Sequence, residues 1–300
     1  MENYWDNLLS HQYDGGISVY EQLKYRCEQS VTTYLNDVPA SNVQTKADYA
    51  LQGVEDVEGN KAYNLKIKEN IISMFPEQFA EAAKMMGDLE KVKSDVVLTI
   101  NPETGKPKGI LNHKEVIAHW EDYKLGLREK YEFLKDKQTR NSLDDFLDVV
   151  DKQIRDKDTL LSELRMKLPF LLLFDKHLVS SEILPCAELL EFSSPLFDQV
   201  SFPLELSQEI AKETPSEIVF TRHGTTTKVP QSALDSIEDI YNRKFKPVVG
   251  YSFSTYSVGY DMRYLVDKEC KSLREAQGCI TEEVVNNVRL TINFTLKKIQ

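Results

Sequence analysis

Arg222-His223-Gly224 is the run in this chain whose residue types most suggest chemistry, a guanidinium beside an imidazole. It follows the short apolar run Ile218-Val219-Phe220, so a strand would deliver it to a turn ahead of the polar Thr225-Thr226-Thr227. A plain strand-to-turn junction is the structural alternative. His113 and His119 lie six apart on one helix and project about 120° from each other at 3.6 residues per turn, whereas a helical zinc pair is spaced i, i+4. Asp144, Asp148 and Asp151 share a helix face and could bind a cation or exchange protons. Acidic residues also suit the first turns of a helix, and Lys152 and Arg155 answer them. Gly105-Lys106-Pro107-Lys108-Gly109 lacks the spacing of a phosphate loop, and Pro107 removes a backbone donor, so a mobile hairpin tip is expected. Neither a nucleophile elbow nor a dinucleotide fingerprint occurs. No catalytic residue, cofactor or metal is assigned.

The Arg-His-Gly tripeptide resembles the phospho-histidine motif of histidine phosphatases and mutases. That resemblance implies a hydrolase with a dispersed site around Arg222 and His223. The family's pattern needs a second histidine in a long α/β segment downstream, and here 77 residues follow His223 without one.

Aromatic residues offer a different chemistry. Tyr251, Phe253, Tyr256, Tyr260 and Tyr264 crowd one strand region beside Ser252, Ser254 and Ser257. The alternation changes phase between Phe253 and Tyr256, which would put rings on both faces of the strand. Tyr mixed with Ser suits a ligand or partner surface, because a tyrosine gives rigid contact area with a polar handle.

The elements that must position these residues are read from periodicity. Val288, Leu290, Ile292, Phe294 and Leu296 alternate with Arg289, Thr291, Asn293 and Thr295, so the chain closes on a strand with one buried and one wet face. Near the start, Val19, Leu23, Tyr25, Cys27 and Val31 share a strand face. Tyr49 to Val57 and Tyr63 to Ile67 form a hairpin turned by Glu58-Gly59-Asn60. Pro76 opens a helix with Phe79, Ala82, Ala83, Met86 and Leu89 as its apolar stripe, and Val96, Leu98 and Ile100 make a strand ending at the turn Asn101–Gly105. Asn112 with Glu115, and Ser142 with Asp145, are spaced as capping boxes for two long helices, the first carrying Val116, Trp120, Tyr123, Leu127, Tyr131 and Leu134. Leu143, Phe146, Leu147, Val150 and Ile154 face inward from the second, and more helix follows from Thr159. After Pro195 the pattern returns to strands, with a helix at 232–241.

Asp95–Glu103 with the start His113-Lys114-Glu115-Val116 matches Asp261–Glu269 with Thr281-Glu282-Glu283-Val284, a weak internal repeat. A curved meander from each half, with helices on the concave side, resembles lipoprotein-carrier half-barrels in the order of its elements. That resemblance assigns no ligand and no site residue.

Composition bounds the function. The 300 residues are 41% hydrophobic and carry a formal charge of −11, which disfavours a phosphate backbone as partner; the short basic run Arg243, Lys244 and Lys246 reads as a solvated loop. The four cysteines show no C-x-x-C and read as reduced core residues, although Cys270 and Cys279 could face each other across a hairpin. The longest apolar run, Leu168 to Phe174, is too short to span a bilayer, and Met1 to Gly16 shows no signal-peptide pattern, so a cytoplasmic protein is expected.

The expected fold class is α+β: antiparallel sheet from the N- and C-terminal segments packed on a central helical block. One interleaved domain is expected, with a β-rich part at 1–111, a helical block at 112–192 and a second β-rich part at 193–300. The expected function is a non-catalytic binding or protein-interaction module of accessory or immunity type. One alternative is a carrier holding an apolar small molecule between sheet and helices; the other is the hydrolase around Arg222 and His223. A protein partner or an apolar small molecule is implied, and nucleic acid is not. The sequence sets no oligomeric state.

Overall fold

A computed structural model describes residues 22–55, 61–131, 137–180, 182–226 and 229–299. Val19, the turn at 58–60 and Leu134 lie outside the described residues.

The closing strand proves central. It is β11, Val288–Lys298, and it pairs antiparallel with β1, Gln22–Leu35, in a register that sets Leu296 beside Cys27 and Ile292 beside Val31. From that junction the sheet grows outward in both directions. On one side lie β2 (Val38–Glu55), β3 (Lys61–Phe75), β4 (Val96–Ile100) and β5 (Pro107–Ile110); on the other lie β10 (Ser272–Val284), β9 (Tyr256–Asp267), β8 (Glu217–Thr225), β7 (Ser201–Glu213) and β6 (Cys186–Ser193). The result is an open, curved sheet of eleven strands with β5 and β6 as its edges, and the α+β class holds.

The apolar face of the sheet carries the core. Tyr25, Leu51, Leu65, Tyr264 and Leu296 are all buried, and they belong to one continuous cluster with the helices. Seven helices pack with them among the described residues: α1 (Ala80–Lys93), α2 (His113–Lys130), α3 (Lys137–Arg155), α4 (Lys157–Met166), α5 (Leu168–Leu173), α6 (Gln231–Lys244) and α7 (Lys246–Val249). None is long and apolar enough to cross a membrane. Trp120 of α2 is fully buried, and its indole Nε1 donates to Asp151 of α3 at 3.0 Å. The same carboxylate accepts from Lys124 and Arg155, so this member of the aspartate cluster ties two helices together. A buried carboxylate also anchors the loop before β7. Glu282 accepts from Ser194 Oγ at 2.5 Å, Tyr256 Oη at 2.7 Å and the Leu196 amide at 3.0 Å.

Several expectations need correction. Strand β2 begins at Val38, well before Tyr49; residues 38–48 pair along β1 although their pattern is small and polar. Helix α1 follows a 3-10 turn at Glu77–Phe79, and it buries Leu89 while Phe79 and Met86 stay exposed, so its expected stripe is rotated. Asn112 does not cap α2 with its side chain; its Oδ1 accepts from Val97 N and its Nδ2 donates to Asp95 O, fastening the helix entry to β4. Ser142 is not at a helix start, since α3 begins at Lys137 and runs through it. The expected helical block ends early, because β6 begins at Cys186, inside 112–192. The repeat fails at its second segment: His113–Val116 opens a helix, whereas Thr281–Val284 lies inside β10. Cys27 alone of the four cysteines is buried, and Cys279 sits opposite Asp261, so it does not face Cys270.

Candidate binding site at the meeting of the two sheet edges

Successive residues of a strand point to opposite faces. In β8 this separates Arg222 from His223, so the two do not share a site. Arg222 turns inward and is largely buried. Its Nη1 meets Asp175 Oδ2 at 2.7 Å, its Nε donates to Gln208 Oε1 at 2.8 Å, and its Nη2 lies 3.5 Å from Glu188 Oε2. The guanidinium also sits over the stacked rings of Phe220 and Tyr264, whose centroids are 4.5 Å apart. Gly224 completes the tripeptide for a packing reason: a Cβ there would lie 2.4 Å from Leu206 Cδ2 on β7.

Asp175 is positioned by its own backbone. It heads the 3-10 turn Lys176–Leu178 just after α5, and its Oδ1 accepts from Lys176 N at 2.7 Å. Gly105, at φ +72°, lets the turn after β4 approach this point, since a Cβ there would lie 2.1 Å from Asp175 O. Lys106 next to it reaches Glu188 Oε1 on β6 at 2.5 Å, and Arg165 of α4 donates to Pro107 O on β5 at 2.8 Å. The expected mobile tip is therefore packed, with Pro107 onward in strand β5, and the Lys106–Glu188 pair brings both sheet edges to this cluster. Burial opposes charge on Asp175, but Arg222, with His177 and the Lys176 amide, holds the carboxyl below the usual range. Burial likewise opposes the Arg222 charge, which the carboxylates of Asp175 and Glu188 support. Burial raises the Tyr260 and Tyr264 phenols, so both stay neutral.

Two cavities flank this ion cluster. One, of about 420 Å³, has Phe170, Leu171, Phe174, Leu190, Leu206 and Tyr264 in its wall. The other, of about 400 Å³, is bordered by His177, Ile183, Pro185 and Cys186; Asp175, Glu188 and Arg222 line both. His177 is 2% exposed, and neither ring nitrogen has a hydrogen-bond partner among the described residues. Burial drives its pKa down to about 4, so the ring is neutral.

His223 lies on the opposite face, half exposed, with Nδ1 2.6 Å from Asp261 Oδ1. Both border a shallow trough of about 900 Å³ that crosses the polar face of the sheet, with Ser30, Gln44, Gln277 and Asn293 along its floor.

The five aromatic residues do not form one surface. Tyr256, Tyr260 and Tyr264 are buried on the apolar face of β9. Tyr251 and Phe253 precede the strand, which explains the change of phase: Tyr251 is exposed, while Phe253 packs edge-on against Tyr241 of α6. Tyr260 and Tyr264 do border the 420 Å³ cavity. His113 and His119 are not joined, since His113 Nε2 contacts Ile154 O at 2.7 Å, and no cluster with metal-ligand geometry occurs among the described residues. Arg243 and Lys244 are answered by Asp239 and Asp198. Sequence reasoning missed Asp175, Glu188 and Gln208. The available signal was Asp175 itself, a charge placed directly after the seven-residue apolar run Leu168–Phe174.

No protein-family model and no curated protein matches the chain. Among solved structures, one described as lipid–protein interactions in lipovitellin is similar over 95% of this chain, at 8% identity and a TM-score of 0.42. The chain spans 25% of that protein's length.

Proposed function

We propose that the chain is a binding protein for an apolar small molecule, held between the sheet and helix α5 where the two sheet edges meet. The carrying observation is the cavity of about 420 Å³, walled by Phe170, Phe174, Leu190 and Tyr264 and bounded by an ion cluster. Its volume falls within the usual range for small-molecule sites, roughly 300–1,000 Å³. Arg222 is engaged by Asp175, Gln208 and Glu188, so apolar burial, and not a spare charge, would hold the ligand. Exposed, unpaired Cys186 and Cys270 suit a reducing compartment, in line with a cytoplasmic protein.

Titration with 1-aminoanthracene, a neutral fluorophore, tests this. Saturable binding is expected, lost in Leu190→Trp, which fills the cavity, and kept in His223→Ala. Binding that is absent, or unchanged by Leu190→Trp, contradicts it.

A protein partner on the polar face is the second reading, supported by the trough of about 900 Å³ across seven strands. Gln277→Lys would then abolish partner binding and leave the fluorophore titration unchanged.

A further inference from the structure

We propose a separate site for a single-chain amphipathic anion, of the medium-chain carboxylate class, at the end of the sheet where β1 begins and β11 finishes. A cavity of about 330 Å³ opens there, with Leu23, Leu51, Val54, Ala62, Tyr63 and Leu178 as apolar wall. Three lysines border it, Lys61, Lys271 and Lys298, against one carboxylate, Glu269. This local positive surplus runs against a chain whose formal charge is −11.

The surplus follows from how the neighbouring charges are used. In the turn between β9 and β10, Asp267 Oδ1 accepts from the amides of Glu269 and Cys270, while Oδ2 takes Arg274. Glu217 also pairs with Arg274, and Glu213 takes Lys268 at 2.7 Å. Lys61, Lys271 and Lys298 form no ion pair with a carboxylate among the described residues. A second observation points to a ligand. Ser272 lines the cavity, is 1% exposed, and its hydroxyl has no hydrogen-bond partner among the described residues. A buried hydroxyl without a partner is costly, and a carboxylate oxygen placed between it and the lysines would satisfy it. The aliphatic tail would cover the apolar wall, which a bare inorganic anion could not do.

Calorimetric titration of the full chain with sodium decanoate, below its micelle concentration, tests the site. Decanoate is expected to bind and to weaken about tenfold in the triple variant Lys61→Gln, Lys271→Gln, Lys298→Gln, the sum of three modest exposed pairs. Ser272→Ala should weaken it further. 1-Decanol should be indifferent to the triple substitution, and Leu190→Trp should leave decanoate binding unchanged. Equal affinity in the triple variant overturns the proposal, as does inorganic phosphate binding as tightly as decanoate. Recruitment to phosphatidylglycerol vesicles without decanoate binding also overturns it, since the anion would then belong to a membrane surface.

Discussion

Arg222 Nη1 and Asp175 Oδ2 stand 2.7 Å apart, joining the middle of strand β8 to the 3-10 turn that follows helix α5. Both side chains are nearly out of water. Through Glu188 and Lys106 the same cluster reaches β6 and the start of β5, so one buried pair organises the place where the curved sheet brings its two edges together. A buried pair of this kind makes breaking one partner far costlier than replacing both.

Arg222→Met should therefore destabilise the fold by about 3–5 kcal/mol, because Asp175 is left charged and unpaired. The double variant Arg222→Met with Asp175→Leu should recover most of that loss. Urea denaturation of the two variants checks this; equal losses in single and double would place the stabilisation elsewhere.

His177 gives a pH signature. Its folded pKa lies near 4 against an ordinary value of 6.5, because burial disfavours the charged ring. The unfolded chain thus takes up the proton first as pH falls. Stability is full above pH 6.5 and declines towards pH 4, by about 3 kcal/mol from this group. His177→Leu should flatten denaturation midpoints between pH 6.5 and 4, and should cost little at pH 7 because neither nitrogen has a described partner. An unchanged slope in that variant would contradict the assignment.

Glu282 slopes the other way. Burial raises its pKa above the ordinary 4.5, against the hydrogen bonds from Ser194, Tyr256 and the Leu196 amide. The folded state then holds the proton more tightly, so stability falls as pH rises through 4.5 and upward. Glu282→Gln should gain on the parent protein as pH climbs from 4 to 7, measured by urea midpoints at each pH. Glu282→Ala should cost at least about 3 kcal/mol, since several buried donors lose their acceptor.

The sheet was legible where one face is strongly apolar. Val288 to Leu296 and Tyr256 to Tyr264 alternate without a break, and both are strands with those residues buried. Residues 38–48 were not legible, because β2 there rests on backbone pairing with β1 and not on large apolar side chains. Capping spacings at Asn112 and Ser142 misled for a related reason: Asn112 bonds to β4, a partner distant in sequence. The Arg-His-Gly run drew attention to Arg222, but strand geometry sends His223 to the opposite face. Its real partners, Asp175 and Gln208, come from separate elements and share no local pattern with it.

The proposed site for an apolar molecule is the cavity beside Arg222. Crystals soaked with 1-bromonaphthalene test it most directly through the anomalous signal of bromine. The peak is expected among Phe170, Phe174, Leu190 and Tyr264, and should vanish in Leu190→Trp crystals. A bromine peak elsewhere, with this cavity left empty, would contradict the account.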